Sequence, residues 1–201
     1  VRFGMGAVKN VGKGPVEALI EARKEGIFED LTDLANRVDL RKVGKRALES
    51  LIKAGALDQF GPRMALLQVM EKAISISSSQ FQAAEEGQLS FFGADSGIVQ
   101  KIEIPKVDPD YNKREQLNWE RELVGLFISD HPLRQVMEDL KNIVSHFSSQ
   151  LAHTEDQQLV KVAGMVSRIR PHITKKGDQM AFVALEDTHG IMNLVIFPRT
   201  W

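Results

Sequence analysis

The stretch Ala7-Val8-Lys9-Asn10-Val11-Gly12-Lys13-Gly14-Pro15-Val16-Glu17-Ala18-Leu19-Ile20-Glu21-Ala22-Arg23 decides how the rest of the chain is read. A short apolar segment runs into Val11-Gly12-Lys13-Gly14, and Pro15 opens an amphipathic run with Val16, Leu19, Ile20 and Arg23 at helical spacing. The pattern predicts helix, tight hairpin, helix. Two glycines two apart allow a sharp turn and carry bare N–H groups to a helix start, where the macrodipole favours an anion. The expected ligand is a phosphate. A dinucleotide fingerprint needs a glycine where Glu17 stands, and a P-loop fails because Gly6 lies one residue too far from Gly12 and Gly14 follows Lys13. A nucleic-acid backbone remains as the phosphate source, with the alternative that the glycines merely cap the helices.

Working outward, Gly26 marks the end of the first helix, and Phe28 to Leu34 begins a second with Asp30 or Thr32 as N-cap. Arg37-Val38-Asp39-Leu40-Arg41-Lys42-Val43-Gly44-Lys45-Arg46 then precedes a helix with Leu48, Leu51 and Ile52 on one face, so the hairpin device occurs twice. Between Asp33 and Lys53 the basic residues Arg37, Arg41, Lys42, Lys45, Arg46 and Lys53 outnumber Asp33, Asp39 and Glu49. That excess reads either as a solvated face or as half of a two-point grip on duplex backbone, a non-specific mode because phosphate contacts carry no sequence information.

The organisation expected is mainly α with a β segment. Residues 1–61 form the paired hairpin unit and 62–84 a long helix with Leu66, Val69, Met70, Ala73 and Ile74 on its apolar face. Residues 85–112 are a linker by composition, 113–145 a helical segment, and 158–201 a partial barrel of the OB type. Its three expected strands are Val160–Ile169, Met180–Glu186 and Met192–Phe197, joined by a basic turn at Lys175 and Lys176. Single-stranded nucleic acid would be held there by Arg168, Lys175, Lys176, Phe182 and Phe197. Inside the linker, Gln88-Leu89-Ser90-Phe91-Phe92 sets three large apolar residues in a polar stretch. They either fold back on the Pro62 helix or enter a partner's pocket.

Composition excludes several classes. There is no cysteine, so disulfides, thiolate zinc sites and cysteine nucleophiles are ruled out, which fits a cytoplasmic setting. A formal charge of -1 leaves no whole-surface basic footprint, so nucleic-acid contacts must be local. No apolar run approaches a membrane span, the five histidines are scattered, and Asp108 and Asp110 flank Pro109 as turn residues; no catalytic or metal residue is assigned. The chain opens on Val1 and stops at Trp201 beside a strand-like run, which reads as a piece of a longer protein.

The runs Val1 to Gly12, Val38 to Asp58, Gly87 to Gly93, Trp119 to Leu126, Ser129 to Leu133 and Thr174 to Asp187 together closely resemble the α subunits of bacterial DNA polymerase III. The resemblance implies tandem helix-hairpin-helix elements that hold duplex DNA, an internal sliding-clamp motif and the start of an OB domain. Carried over residue by residue, it assigns DNA contact to Val11, Gly12, Lys13 and Gly14 and to Lys42, Val43, Gly44, Lys45 and Arg46. Clamp binding falls on Gln88, Leu89, Ser90, Phe91 and Phe92. Gly44 stands where asparagine is common in that family, and Phe91 where leucine is usual. The implied partners are double-stranded DNA, single-stranded template DNA, the β sliding clamp and other replicase subunits, with no membrane. The implied parent is a magnesium-dependent DNA polymerase of the cytoplasm, whereas this piece, lacking the catalytic aspartates, is expected to need no cofactor and to incorporate no nucleotide. A stand-alone helix-hairpin-helix repair module and an OB-dominated RNA-binding protein are the alternatives.

Overall fold

In the computed structural model, which describes residues 3–85, 101–108 and 111–201, the chain forms two compact units, Val1–Ser129 and Asp130–Trp201. The first is helical: α1 Lys13–Arg23, α2 Leu31–Arg37, α3 Leu40–Val43, α4 Lys45–Lys53, α5 Arg63–Glu85 and α6 Lys113–Val124. Caps set several of these limits. The Asp30 carboxylate accepts the Asp33 N–H at 2.8 Å and starts α2. Asp39 accepts the Arg41 N–H at 3.1 Å and starts α3. Left-handed Gly125 (φ 88) closes α6 at Val124, well inside the helical segment expected over 113–145.

The core of this unit is made where the helical apolar stripes meet, on Leu31, Leu34, Leu40, Leu48, Leu51 and Leu66, each at most 2% exposed. At roughly 1.5–3 kcal/mol per buried leucine, this face outweighs the weak local propensity of a four-residue helix such as α3. Two features depart from what periodicity predicts. Ser77 is a polar residue beyond the apolar positions expected on α5, yet it is fully buried. Its hydroxyl donates to the Val38 carbonyl at 2.7 Å and accepts the Leu40 N–H at 2.9 Å, satisfying backbone left bare between α2 and α3. The stretch from Lys101, a linker by composition, is docked: Ile102 is 4% exposed, its N–H donates to Thr32 Oγ1 at 3.0 Å, and Ile104 packs on the same core.

Charge is also buried here. Arg63, 5% exposed at the start of α5, forms a fork on Asp58 (Nε to Oδ1 3.0 Å, Nη2 to Oδ2 2.9 Å). Its Nη1 donates to the Lys53 carbonyl at 3.2 Å and lies 2.8 Å from Glu120 Oε1. Glu120 is fully buried on α6, and its Oε2 accepts the N–H groups of Ile128 at 2.6 Å and Ser129 at 2.9 Å. Gly55 (φ 83) passes so close that a Cβ there would collide with the Arg63 guanidinium. Burial pushes the Glu120 carboxyl up, but the Ser129 and Ile128 N–H groups and Arg63 outweigh it and hold the group below the usual carboxylate range.

The second unit carries a 3-10 segment at Pro132–Val136, α7 Met137–Lys141, a 3-10 segment at Ser148–His153 and the strands β1 Met165–Ile173, β2 Gln179–Glu186 and β3 Ile191–Ile196. All pairing is antiparallel, in the order β1-β2-β3, with a register shift at Ser167. β1 starts at Met165, later than the alternation from Val160 suggests. Gly164 sits just before it, where a Cβ would stand 2.7 Å from the Glu186 carbonyl oxygen. Asp187, 4% exposed, organises the β2–β3 turn by accepting Ser148 Oγ at 2.6 Å and the N–H groups of His189 at 2.7 Å and Gly190 at 2.9 Å. Among the described residues no helix is long and apolar enough to cross a membrane.

A carboxyl held low stabilises the fold above its unfolded value of about 4.3, and that contribution is lost as pH falls through the folded value. Glu120→Gln is therefore expected to destabilise the first unit at neutral pH by about 3 kcal/mol, because Arg63 loses its buried counter-charge. The variant should also lose less stability than the parent on going below about pH 4. Urea titrations following Trp119 fluorescence in a Trp201→Phe background measure both; equal pH profiles for variant and parent would contradict the assignment.

Candidate nucleic-acid interface

Each hairpin is built from a buried aliphatic foot and a glycine–lysine tip whose lysine is exposed. Val11 is 7% exposed and Val43 3%, whereas the residues that follow each of them start helices: Gly12 is the N-cap of α1, and Gly44 the N-cap of α4. Neither helix start is covered by a side-chain cap. The two turns superpose in sequence at one constant offset, Val8 on Leu40, Val11 on Val43, Gly12 on Gly44, Lys13 on Lys45 and Leu19 on Leu51, and both leucines are buried. The first bond of each helix follows the same register: Val16 N–H donates to the Gly12 carbonyl at 3.4 Å and Leu48 N–H to the Gly44 carbonyl at 3.0 Å. That constant offset is a signal the sequence carries.

Local geometry differs between the copies. The helix expected ahead of the first hairpin is a single 3-10 turn, Met5–Ala7, because Gly4 and Gly6 weaken anything longer. The sharp turn itself falls on Asn10 (φ 69) and not on Gly12, which is extended (φ -80, ψ 178). Gly44 does supply a left-handed turn (φ 80). A Cβ at Gly12 would meet only the Pro15 ring at 4.0 Å, and one at Gly14 would meet nothing within 4 Å. Neither internal packing nor backbone strain therefore requires glycine at 12 or 14. What their lack of side chain provides is open approach to the α1 start from outside.

Both hairpins belong to the first unit. Helix α1 packs on α3, Asn10 Nδ2 donates to Ser50 Oγ on α4 at 3.2 Å, and Lys9 N–H donates to the Leu123 carbonyl at 2.8 Å. The predicted site residues divide by burial. Lys13 and Lys42 have side chains 89% and 72% exposed, and Lys45 and Arg46 are exposed too. The side chains of Val11 and Val43 are in the core and hold the turns, which leaves only their backbone for any outside contact. The basic excess is smaller than the count suggests. Arg37 is spent inside, on Asp33 at 2.9 Å, on the Ala22 and Gly26 carbonyls and over the Phe28 ring. Arg41 pairs with Asp39 and Glu85, and Lys53 with Glu49. The Arg41 guanidinium beside Asp39 holds that carboxyl below its ordinary range.

In the second unit, strand pairing puts Arg170 opposite Phe182 and Phe182 opposite Val195, with Arg168 opposite Ala184 on the same face. Phe182 is 42% exposed and meets the His172 ring at 5.8 Å between centroids. Arg168 and Phe182 are thus together, and alternation adds Arg170 and His172, which sequence reasoning missed. Lys175 and Lys176 sit in the β1–β2 turn closed by Gly177 (φ 89), and exposed Phe197 follows β3. Gln88 to Phe92, with the rest of 86–100, lie outside the described residues. Asp110 does too, while the Asp108 carbonyl accepts the Tyr111 N–H at 3.0 Å. Among the described residues no group of three or more His, Asp or Glu could hold a metal ion.

A pair of glycine–lysine helix starts on buried aliphatic feet is a tandem helix-hairpin-helix arrangement, and residues 1–66 match the family model described as "Helix-hairpin-helix motif". Over 97% of its length the chain is 39% identical to the DNA polymerase III subunit alpha of Haemophilus influenzae, 37% identical to that of Vibrio cholerae and 34% identical to that of Escherichia coli K12. It spans 17% of the length of these curated relatives. Along nearly its whole length the chain is thus similar to one segment of DNA polymerase III α subunits.

Proposed function

We propose that the first unit grips the backbone of double-stranded DNA at two places and so holds the duplex for a template-directed DNA polymerase of which this segment is a non-catalytic part. The observation that carries this reading is the repeated glycine–lysine helix start, uncapped by side chains at both Gly12 and Gly44 and followed in each case by an exposed lysine. Free N–H groups, the positive end of a helix dipole and an adjacent lysine together favour a phosphate oxygen. Glycine at 12 and 14 keeps the approach clear. Because such contacts fall on phosphates only, binding is non-specific in sequence and steeply salt-dependent. The kinship with DNA polymerase III α subunits supports the assignment to replication.

Two finer roles complete the proposal. The three-stranded sheet is the opening part of an OB-type barrel that takes single-stranded template on the face bearing Arg168 and Phe182, with Lys175, Lys176 and Phe197 at its margins. Gln88, Leu89, Ser90, Phe91 and Phe92 dock on the sliding clamp, a role supported by the motif's resemblance alone; a Phe91→Ala, Phe92→Ala protein that still binds the clamp normally would remove it. For the duplex grip, Gly14→Val is expected to fold normally, since no neighbour stands within 4 Å of its Cβ, yet to lose duplex affinity equally across sequences. Replacing Lys13, Lys42 and Lys45 by methionine should flatten the dependence of log affinity on log salt by about one unit for each phosphate no longer neutralised. Anisotropy titrations over a salt series measure this; unchanged affinity and slope in both variants would overturn the reading.

A further inference from the structure

Every lysine of the two hairpin tips stands beside a carboxylate. Lys13 Nζ lies 3.3 Å from Glu17 Oε1, Lys42 Nζ lies 3.7 Å from Asp39 Oδ2, and Lys45 Nζ pairs with Glu71. The three carboxylates are not equivalent. Asp39 is 5% exposed in its side chain and is committed to capping α3 and to Arg41, so it is part of the framework. Glu17 follows Lys13 by one helical turn, the ordinary spacing of a surface pair. Glu71 is different: it comes from α5, a separate helix, and reaches the first residue of α4, with both side chains 63% exposed.

We propose that Glu71 acts as a built-in competitor of DNA, occupying Lys45 in the free protein and leaving it only when a duplex phosphate takes its place. The inference rests on the duplex-grip reading above and adds to it a residue that sets affinity without touching DNA. A carboxylate is the natural stand-in for phosphate, since both accept charge-assisted hydrogen bonds from the same ammonium. The hydrogen bond to Glu71 raises the Lys45 ammonium above its ordinary value, the direction expected when a carboxylate engages it. Exchange of one anion for another makes the second hairpin a weaker holder than its exposed charge suggests. Such a damper suits a protein that must hold duplex without regard to sequence and still release it. Glu71 is itself exposed, and α4 and α5 meet through their buried apolar faces, so its removal leaves their packing in place.

The test is a double-mutant cycle on the full 201-residue chain with a blunt-ended duplex of mixed sequence as the probe. Glu71→Gln is expected to tighten binding by about two- to five-fold, the range that an exposed ion pair spans when it is removed as a competitor. The gain should vanish in a Lys45→Met background, where there is no ammonium to release. Affinity that is unchanged or weaker in Glu71→Gln overturns the proposal. So does a gain that persists with Lys45→Met, because it would reflect only the loss of one negative charge near DNA. Lys45→Met alone separates this failure from the larger one: if it leaves duplex binding intact, the grip at the second hairpin is itself wrong.

Discussion

The buried guanidinium of Arg63 is the interaction on which the first unit depends. It ends α4 by taking the Lys53 carbonyl, turns the chain by holding Asp58, and meets Glu120 on α6, whose other oxygen ties down the N–H groups of Ile128 and Ser129. A buried charge with one partner missing is costly, and here the partners come from separate stretches of chain. The consequence reaches the proposed site. Helix α4 has its C-terminus fixed on Arg63 and its N-terminus at Gly44, so the hub also fixes the direction in which the second glycine–lysine start faces.

The same logic of a buried foot and an exposed tip reconciles a net charge of -1 with the proposed duplex grip. Half of the basic residues near the second hairpin are consumed by the fold: Arg37 staples the end of α2 to the α1–α2 loop, Arg41 joins α3 to the end of α5, and Lys53 stays beside Glu49 and over the Trp119 ring. What is left outside is local and repeated. Lysine at 13, 42 and 45 and arginine at 46 border two helix starts that no side chain caps. Non-specific duplex binding needs no more than that arrangement, because helix dipoles and backbone amides supply the remainder of the field.

The hairpins are legible in the sequence because glycine and proline punctuate strongly and because the buried residues keep helical spacing on either side. Asp30 as a cap and the strand alternation after Met165 are readable for the same reason: each depends on neighbours in sequence. What escapes is set at long range. Arg63 looks like a surface residue until Glu120 is placed beside it, and Ser77 looks like the fading of a helix until Leu40 needs a hydrogen-bond acceptor. Ile102 and Ile104, two residues of an alternating pair in a Pro- and Asp-rich stretch, pass for linker until Thr32 and Gly61 are seen against them. At the first hairpin the glycines are found but the turn is misplaced by two residues, because Asn10 can adopt left-handed backbone as glycine does. Charge counting likewise overstates the patch, since it cannot tell a stapled arginine from an exposed lysine.

Backbone amide NMR during titration with a mixed-sequence duplex tests the central claim most directly, because it reads the N–H groups themselves. The account predicts that the amides of Gly12 to Gly14 and of Gly44 to Arg46 shift together with one midpoint, and that added salt reverses both sets in parallel. Shifts confined to a single hairpin, or absent from both while duplex binding is evident, would contradict it.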